Sequence, residues 1–243
     1  MKSFLAALQF LTVFPWPKRM DRAADEIGEA AFFFPLVGFV LGSILVLVNL
    51  LLEPFSPPAL LSLALVAVLA LLSRGFHLDG LADTFDGLGA GGDPERVLRI
   101  MDDSHTGVFG VLAVVLVILF KARSIELLDA ERWRALLMAP LLGRWAMVLL
   151  GYRSRAAKEG LGSILIGRME GKHVFFATVV TLILVAGFLG VVGIAIMVWI
   201  GIFTLGCRIY FHRHLGGVTG DIFGAVGELS ECSALVLLAL AQR

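Results

Sequence analysis

The chain predicts an all-α fold: a polytopic bundle of about six to seven membrane-spanning helices plus an N-terminal interfacial helix. Three observations predict it. Hydrophobic residues fill 58% of the 243 positions and charged residues only 16%, against about 45–50% and about 25% in soluble domains. Mean hydropathy is +0.91. The apolar residues gather into runs near the ~20 residues that cross a bilayer core, and a helix satisfies its own backbone in lipid. The 20 basic and 20 acidic side chains balance, which excludes a nucleic-acid binder with its basic excess. Cys207 and Cys232 lack metal-ligand spacing and read as buried thiols.

Residues 2–17 carry one basic residue and an apolar run, but no small-x-small cleavage site, and end in Pro15-Trp16-Pro17. This is a retained interfacial helix with Trp16 and Lys18-Arg19 at the headgroups. The first span covers 32–52 and the second 58–72, joined by a turn with Pro54, Pro57 and Pro58. A third starts near Gly107 and runs to 128, and a fourth covers 135–152. The stretch 174–207 is too long for one span and divides near 187–193 into a hairpin of two. The last apolar run, 232–240, spans only if its helix begins upstream among polar residues. All of 1–243 reads as a single integral-membrane domain.

Three polar segments, 74–106, 153–173 and 208–231, form the expected active-site face. Their basic residues, with Lys18, Arg19 and Arg22, fall on one side if the spans alternate, and the positive-inside rule makes that side cytoplasmic. The 53–58 turn has no basic residue, as an outer turn should. Lys121, Arg123, Arg132 and Arg134 run against the pattern. Either they work inside the bundle or the span boundaries shift.

The chemistry concentrates in His77-Leu78-Asp79-Gly80-Leu81-Ala82-Asp83-Thr84-Phe85-Asp86-Gly87. Asp79, Asp83 and Asp86 follow i, i+4, i+7 spacing, which on a helix gathers them within a stripe roughly 60° wide. Three carboxylates beside a membrane repel one another unless a cation sits among them, and oxygen-only ligands select Mg²⁺, with Mn²⁺ as a substitute. A solvated acidic loop is the plain alternative, but turns rarely repeat Asp at helical spacing. Asp102-Asp103 follows, after a helix start at Asp93-Pro94-Glu95. Two facing Asp-bearing helices suit one or two ions for phosphoryl displacement. His105 offers a base or a hydrogen bond. In the third segment Asp221 joins the metal candidates, and the Thr219-Gly220 backbone at a helix start suits phosphate; close packing at Gly224 is the alternative. Intramembrane Lys121 and Arg144 are candidates for a diphosphate. Snorkelling is the alternative for Lys121 and Arg123.

Taken together, Phe10-Leu11-Thr12, Phe34-Pro35-Leu36-Val37-Gly38, the Asp79–Gly87 signature, Met101-Asp102-Asp103-Ser104-His105-Thr106-Gly107 and Gly217-Val218-Thr219-Gly220-Asp221 resemble the cobalamin synthase family, the adenosylcobinamide-GDP ribazoletransferases. The likeness runs over nearly the whole chain. It implies a Mg²⁺-dependent inner-membrane enzyme that joins adenosylcobinamide-GDP to α-ribazole or its 5′-phosphate and releases GMP. The implied partners are those corrinoid and ribazole substrates and membrane lipid, with no nucleic acid; a homo-oligomer is compatible. Residue roles come from spacing and chemistry. Asp79, Asp83, Asp86, Asp102, Asp103 and Asp221 are the metal candidates, and Asp103 and Asp86 the catalytic carboxylates. Lys121, Arg144, Thr219, Gly220, His77 and His105 are the substrate contacts. Two rivals share features: a CDP-alcohol phosphotransferase, whose motif has Ala-Arg where this chain has Ala82-Asp83, and a cation-coupled transporter, which would show inverted repeats.

Overall fold

The computed structural model describes residues 2–14 and 30–242. Among these the regular structure is helical, apart from one isolated parallel bridge between Ala156 and Val218. The headgroup positions expected for Trp16, Lys18, Arg19 and Arg22 lie outside the described residues.

Helix α1 (Lys2–Leu11) buries Ala6, Ala7 and Leu11. Its Phe10 stacks on Phe34 at 5.9 Å, and Val13 N–H donates to Leu72 O at 2.8 Å. Helix α2 (Phe34–Leu52) starts with Pro35 in its first turn, where a missing N–H costs nothing. Pro54, Pro57 and Pro58 then break the chain before α3 (Pro58–Leu72). Arg74 and Gly75 take left-handed backbone, φ 58° and 66°, and α4 (Phe76–Ala90) leaves the α3 direction through 90°. Helix α5 (Pro94–Met101) begins as expected, with the Asp93 side chain accepting from Arg96 N–H at 2.8 Å. Then come α6 (Val108–Leu127), α7 (Arg132–Gly151), the short α8 (Leu161–Arg168), α9 (Gly171–Leu215) and α10 (Gly220–Ala241).

Helix α9 is two arms. Gly190 breaks it with φ 58° and ψ −143°. Both ends return to Tyr152: a Cβ on Gly171 would lie 3.2 Å from the Tyr152 hydroxyl, and Arg208 Nη1 donates to Tyr152 O at 2.7 Å. The hairpin expected near 187–193 therefore forms, at Gly190. Helix α10 starts at Gly220, where the Thr219 hydroxyl accepts from Ile222 N–H at 3.3 Å. The last apolar run thus spans by recruiting the polar residues before it. Among the described residues five helices are long and apolar enough to cross a membrane; α3 and the α4 that bends from it by 90° pass that test only when taken together, and α9, folded at Gly190, is long enough for two passes.

Helix α7 sits at the centre, buried around nearly its whole circumference. Small residues bring its neighbours close. A Cβ on Gly42 of α2 would lie 2.5 Å from Leu137 O, and one on Gly143 of α7 would lie 2.8 Å from Gly227 O of α10. The four basic residues that ran against the charge pattern all have partners. Arg132 donates to Leu128 O at 2.9 Å and meets Glu53 at 2.9 Å. Arg123 pairs with Glu126 at 2.7 Å, Arg134 pairs with Glu131, and Lys121 turns into the bundle.

Candidate active site

Helix α4 carries the acidic signature as a helix, as the spacing predicts. Asp79 is exposed on it and Asp83 half-buried. The first turn of α10 brings Asp221 to the same place because Gly80 has no side chain: a Cβ there would lie 2.7 Å from Asp221 O. Asp221 also suits the positive end of α10, and Thr219 Oγ1 donates to its Oδ2 at 3.2 Å. The crowding registers on Asp83. Burial, then the neighbouring Asp79 and Asp221 carboxylates, push it up to about 7, against the pull of Lys158.

Lys158 is the residue that sequence reasoning missed. The segment before α8 is pinned to the turn before α10: Val218 N–H donates to Arg155 O at 2.9 Å, and Ala157 N–H to Val218 O at 3.0 Å. That fixes the Lys158 backbone, and its Nζ reaches Asp221 Oδ2 at 3.1 Å and pairs also with Asp102. Burial works against the ammonium, but the two carboxylates raise its affinity for the proton. A lysine 63 positions before Asp221 in the sequence, on a loop of no regular structure, has no pattern to announce it.

The other expected site residues separate. Asp86 is buried and caps α6: Gly107 N–H donates to its Oδ2 at 2.7 Å and Gly110 N–H to its Oδ1 at 2.8 Å. Both oxygens are thus engaged by backbone amides, and the Asp86 charge still acts on Asp83. Asp103 is exposed, and hydrogen bonds from His105 N–H at 3.0 Å and from the His105 ring at 2.7 Å hold its carboxyl below the usual range. His105 is more exposed still, on the α5–α6 connection. Neither is among the groups that act on Asp83. Asp102 reaches the cluster through Lys158.

Lys121, Arg144 and His77, expected as substrate contacts, are engaged with one another and with α10. They lie inside the bundle, each no more than 3% exposed. Lys121 Nζ meets Glu228 Oε2 and Glu231 Oε1, both at 2.5 Å. Arg144 pairs with Glu231, and its Nη2 lies 3.4 Å from His77 Nδ1. Two cations and two carboxylates neutralise one another there, which is how a low-dielectric interior tolerates them. Glu228 and Glu231 on an apolar helix were the available signal, since intramembrane charges need opposite partners. Thr219 is buried as the α10 cap, with Gly220 opening that helix.

Beside the carboxylates lies a groove of about 980 Å³. Its wall is mostly apolar, with Phe10, Phe76, Val111 and Val115, and Gln9, Ser73, Arg74, Asp79 and Thr106 supply its polar groups. An apolar pocket with a few convergent polar groups is the usual form of a ligand site.

The family model described as cobalamin-5-phosphate synthase matches residues 3–239. The chain belongs to the cobalamin-5-phosphate synthase family. Curated relatives named adenosylcobinamide-GDP ribazoletransferase agree. One from Geotalea daltonii is 39% identical, covering 98% of this chain and 97% of the relative. One from Syntrophobacter fumaroxidans is 40% identical, covering 94% of each, and one from Klebsiella pneumoniae is 41% identical, covering 99% of each. No solved structure matches. As a cobalamin-5-phosphate synthase family member, the chain is a multi-pass transferase of cobalamin biosynthesis, and the CDP-alcohol phosphotransferase and transporter readings have no support.

Proposed function

We propose that this chain joins adenosylcobinamide-GDP to α-ribazole, or to α-ribazole 5′-phosphate, and releases GMP. The observation that carries the site is the convergence of Asp79, Asp83 and Asp221 beside the groove that Asp79 lines. A ribose hydroxyl of the ribazole attacks the phosphorus nearest the cobinamide. An O–P bond forms, the P–O–P bridge breaks, and GMP leaves with the bridging oxygen. The hydroxyl proton passes to a carboxylate of the cluster.

Among the described residues no three His, Cys, Asp or Glu side chains already stand in metal-ligand geometry. The donor chemistry nevertheless fits Mg²⁺: all oxygen, with Asp83 driven toward its protonated form by burial and then by neighbouring carboxylates that a cation would neutralise. Asp79, Asp83 and Asp221 would hold the ion, with Mn²⁺ as a substitute. When bound, Mg²⁺ supplies the positive charge that a diphosphate ester needs at its transition state. The N–H groups opening α10 at Gly220 are suited to a phosphate. The groove gives the apolar parts of the substrates a wall and orients them for in-line attack. The positive-inside pattern supports a cytoplasmic active site in the inner membrane, surrounded by lipid.

The assay uses purified protein in detergent with adenosylcobinamide-GDP, α-ribazole 5′-phosphate and Mg²⁺. GMP and the cobalamin product should form one for one, only with the divalent cation. Asp83→Asn should lower kcat on the order of 100-fold or more, the scale set by losing one preorganised electrostatic group. Folded wild-type protein that releases no GMP under these conditions would overturn the reading.

A further inference from the structure

We propose that Lys158 stands in for a divalent cation between Asp102 and Asp221 in the cation-free protein, and hands over to the diphosphate of the substrate once the cation enters. The inference rests on the reading of Asp79, Asp83 and Asp221 as the cation-holding carboxylates.

Geometry carries the first half. The Lys158 ammonium meets Asp221 Oδ2 at 3.1 Å and pairs with Asp102. An ammonium at that distance occupies an oxygen that a hard ion would coordinate. Two positive centres on one carboxylate oxygen repel one another steeply at such separations, so entry of the divalent ion expels the lysine from Asp221.

The backbone carries the second half. Arg155 and Ala157 are tied to Val218 by hydrogen bonds of 2.9 and 3.0 Å. Their register with α10 also depends on Gly217 and Gly162, whose Cβ atoms would press into the facing backbone. The chain on which Lys158 stands therefore stays in place while its side chain moves. Lys158 keeps about a quarter of its surface exposed, so it has room to turn. A lysine is a compact charge on a flexible four-carbon stem, suited to following a charge from one partner to another. A diphosphate held at the carboxylates through the cation brings new negative charge within reach of the released ammonium. In this way Lys158 offsets part of the carboxylate charge without the cation, and becomes a phosphate ligand with it.

The test reads cation binding and substrate binding separately. Mn²⁺ binding to the detergent-solubilised protein is followed by electron paramagnetic resonance without substrate, for wild type, Lys158→Gln and Lys158→Arg. Lys158→Gln should bind Mn²⁺ several-fold more tightly, because its competitor for Asp221 is gone. The same variant should raise the KM for adenosylcobinamide-GDP about tenfold, and Lys158→Arg, which keeps the charge, should fall between it and wild type. Unchanged or weaker Mn²⁺ binding by Lys158→Gln overturns the stand-in role. Tighter Mn²⁺ binding with an unchanged KM overturns the hand-over. Wild-type protein that binds no Mn²⁺ would instead overturn the cation site itself. Because Lys158 lies on a partly exposed loop, matched melting curves separate these outcomes from misfolding, and Lys158→Arg serves if Lys158→Gln does not fold.

Discussion

Asp83 shows how one side chain reports the state of a site. In the folded protein it keeps its proton up to about pH 7, whereas the ordinary value is 3.8. Burial and two carboxylate neighbours are the cause. Between those values the folded state binds more protons than the unfolded one. Stability of the metal-free protein should therefore fall as pH rises from about 4 to about 7, and level off above. Melting curves in chelator across that range check this. A slope that Asp83→Asn does not flatten would put the proton elsewhere. Divalent-ion affinity should rise over the same window, since the ion competes with that proton. Helical spacing made Asp79 and Asp83 legible as a pair. It also grouped Asp86 with them, and the Asp86 charge does act on Asp83; what the spacing does not encode is the long-range contact of Asp86 with the Gly107 and Gly110 amides.

At the scale of elements, the site is a crossing of α4 and α10 made close by missing side chains. Gly80 admits Asp221 O, and Gly224 lets α10 approach the His77 backbone, where a Cβ would lie 3.1 Å from His77 Cα. Gly80→Ala should leave the bundle folded but push Asp221 away from Asp79 and Asp83. Misplacement of that kind costs roughly 100-fold in rate, so kcat should fall by about that factor, and the clash with the α10 backbone should lower the melting temperature as well. Near-wild-type kcat in a folded Gly80→Ala protein would show that the crossing is not what assembles the site. The existence of these helices was readable from run length and from caps such as Asp93-Pro94. The start of α10 was half legible: Thr219-Gly220 read as a helix start, but Asp221, Glu228 and Glu231 interrupt the apolar run that would have joined it to 232–240, and their partners lie on other elements.

Across the whole molecule, charge placement binds the bundle together. Lys121 of α6, Arg144 of α7 and the α10 carboxylates Glu228 and Glu231 close on one another in the interior, with His77 of α4 beside them. Removing one member leaves an uncompensated buried charge. Glu231→Gln should cost about 3–5 kcal/mol, read as a large drop in melting temperature in detergent. The double variant Glu231→Gln with Arg144→Gln should recover part of it, a coupling that a double-mutant cycle measures. Additive losses would mean that the pair is not coupled. The network also answers the charge pattern: the basic residues out of place for a positive-inside chain are neutralised within the fold.

By itself the sequence determined the all-α membrane class, the position of most spans, the fold-back of α9 and the acidic helix. Each of these depends on composition or local periodicity, which a linear chain displays directly. Family membership was legible for the same reason, through short motifs in fixed order. Only the tertiary structure decided which charged residues face the site. Lys121, Arg144 and Asp86 went to the interior, and Lys158 and Asp221 came to Asp83. A charge near lipid must find an opposite partner or a backbone donor, and that partner lies on another helix, at a sequence distance that no periodicity spans.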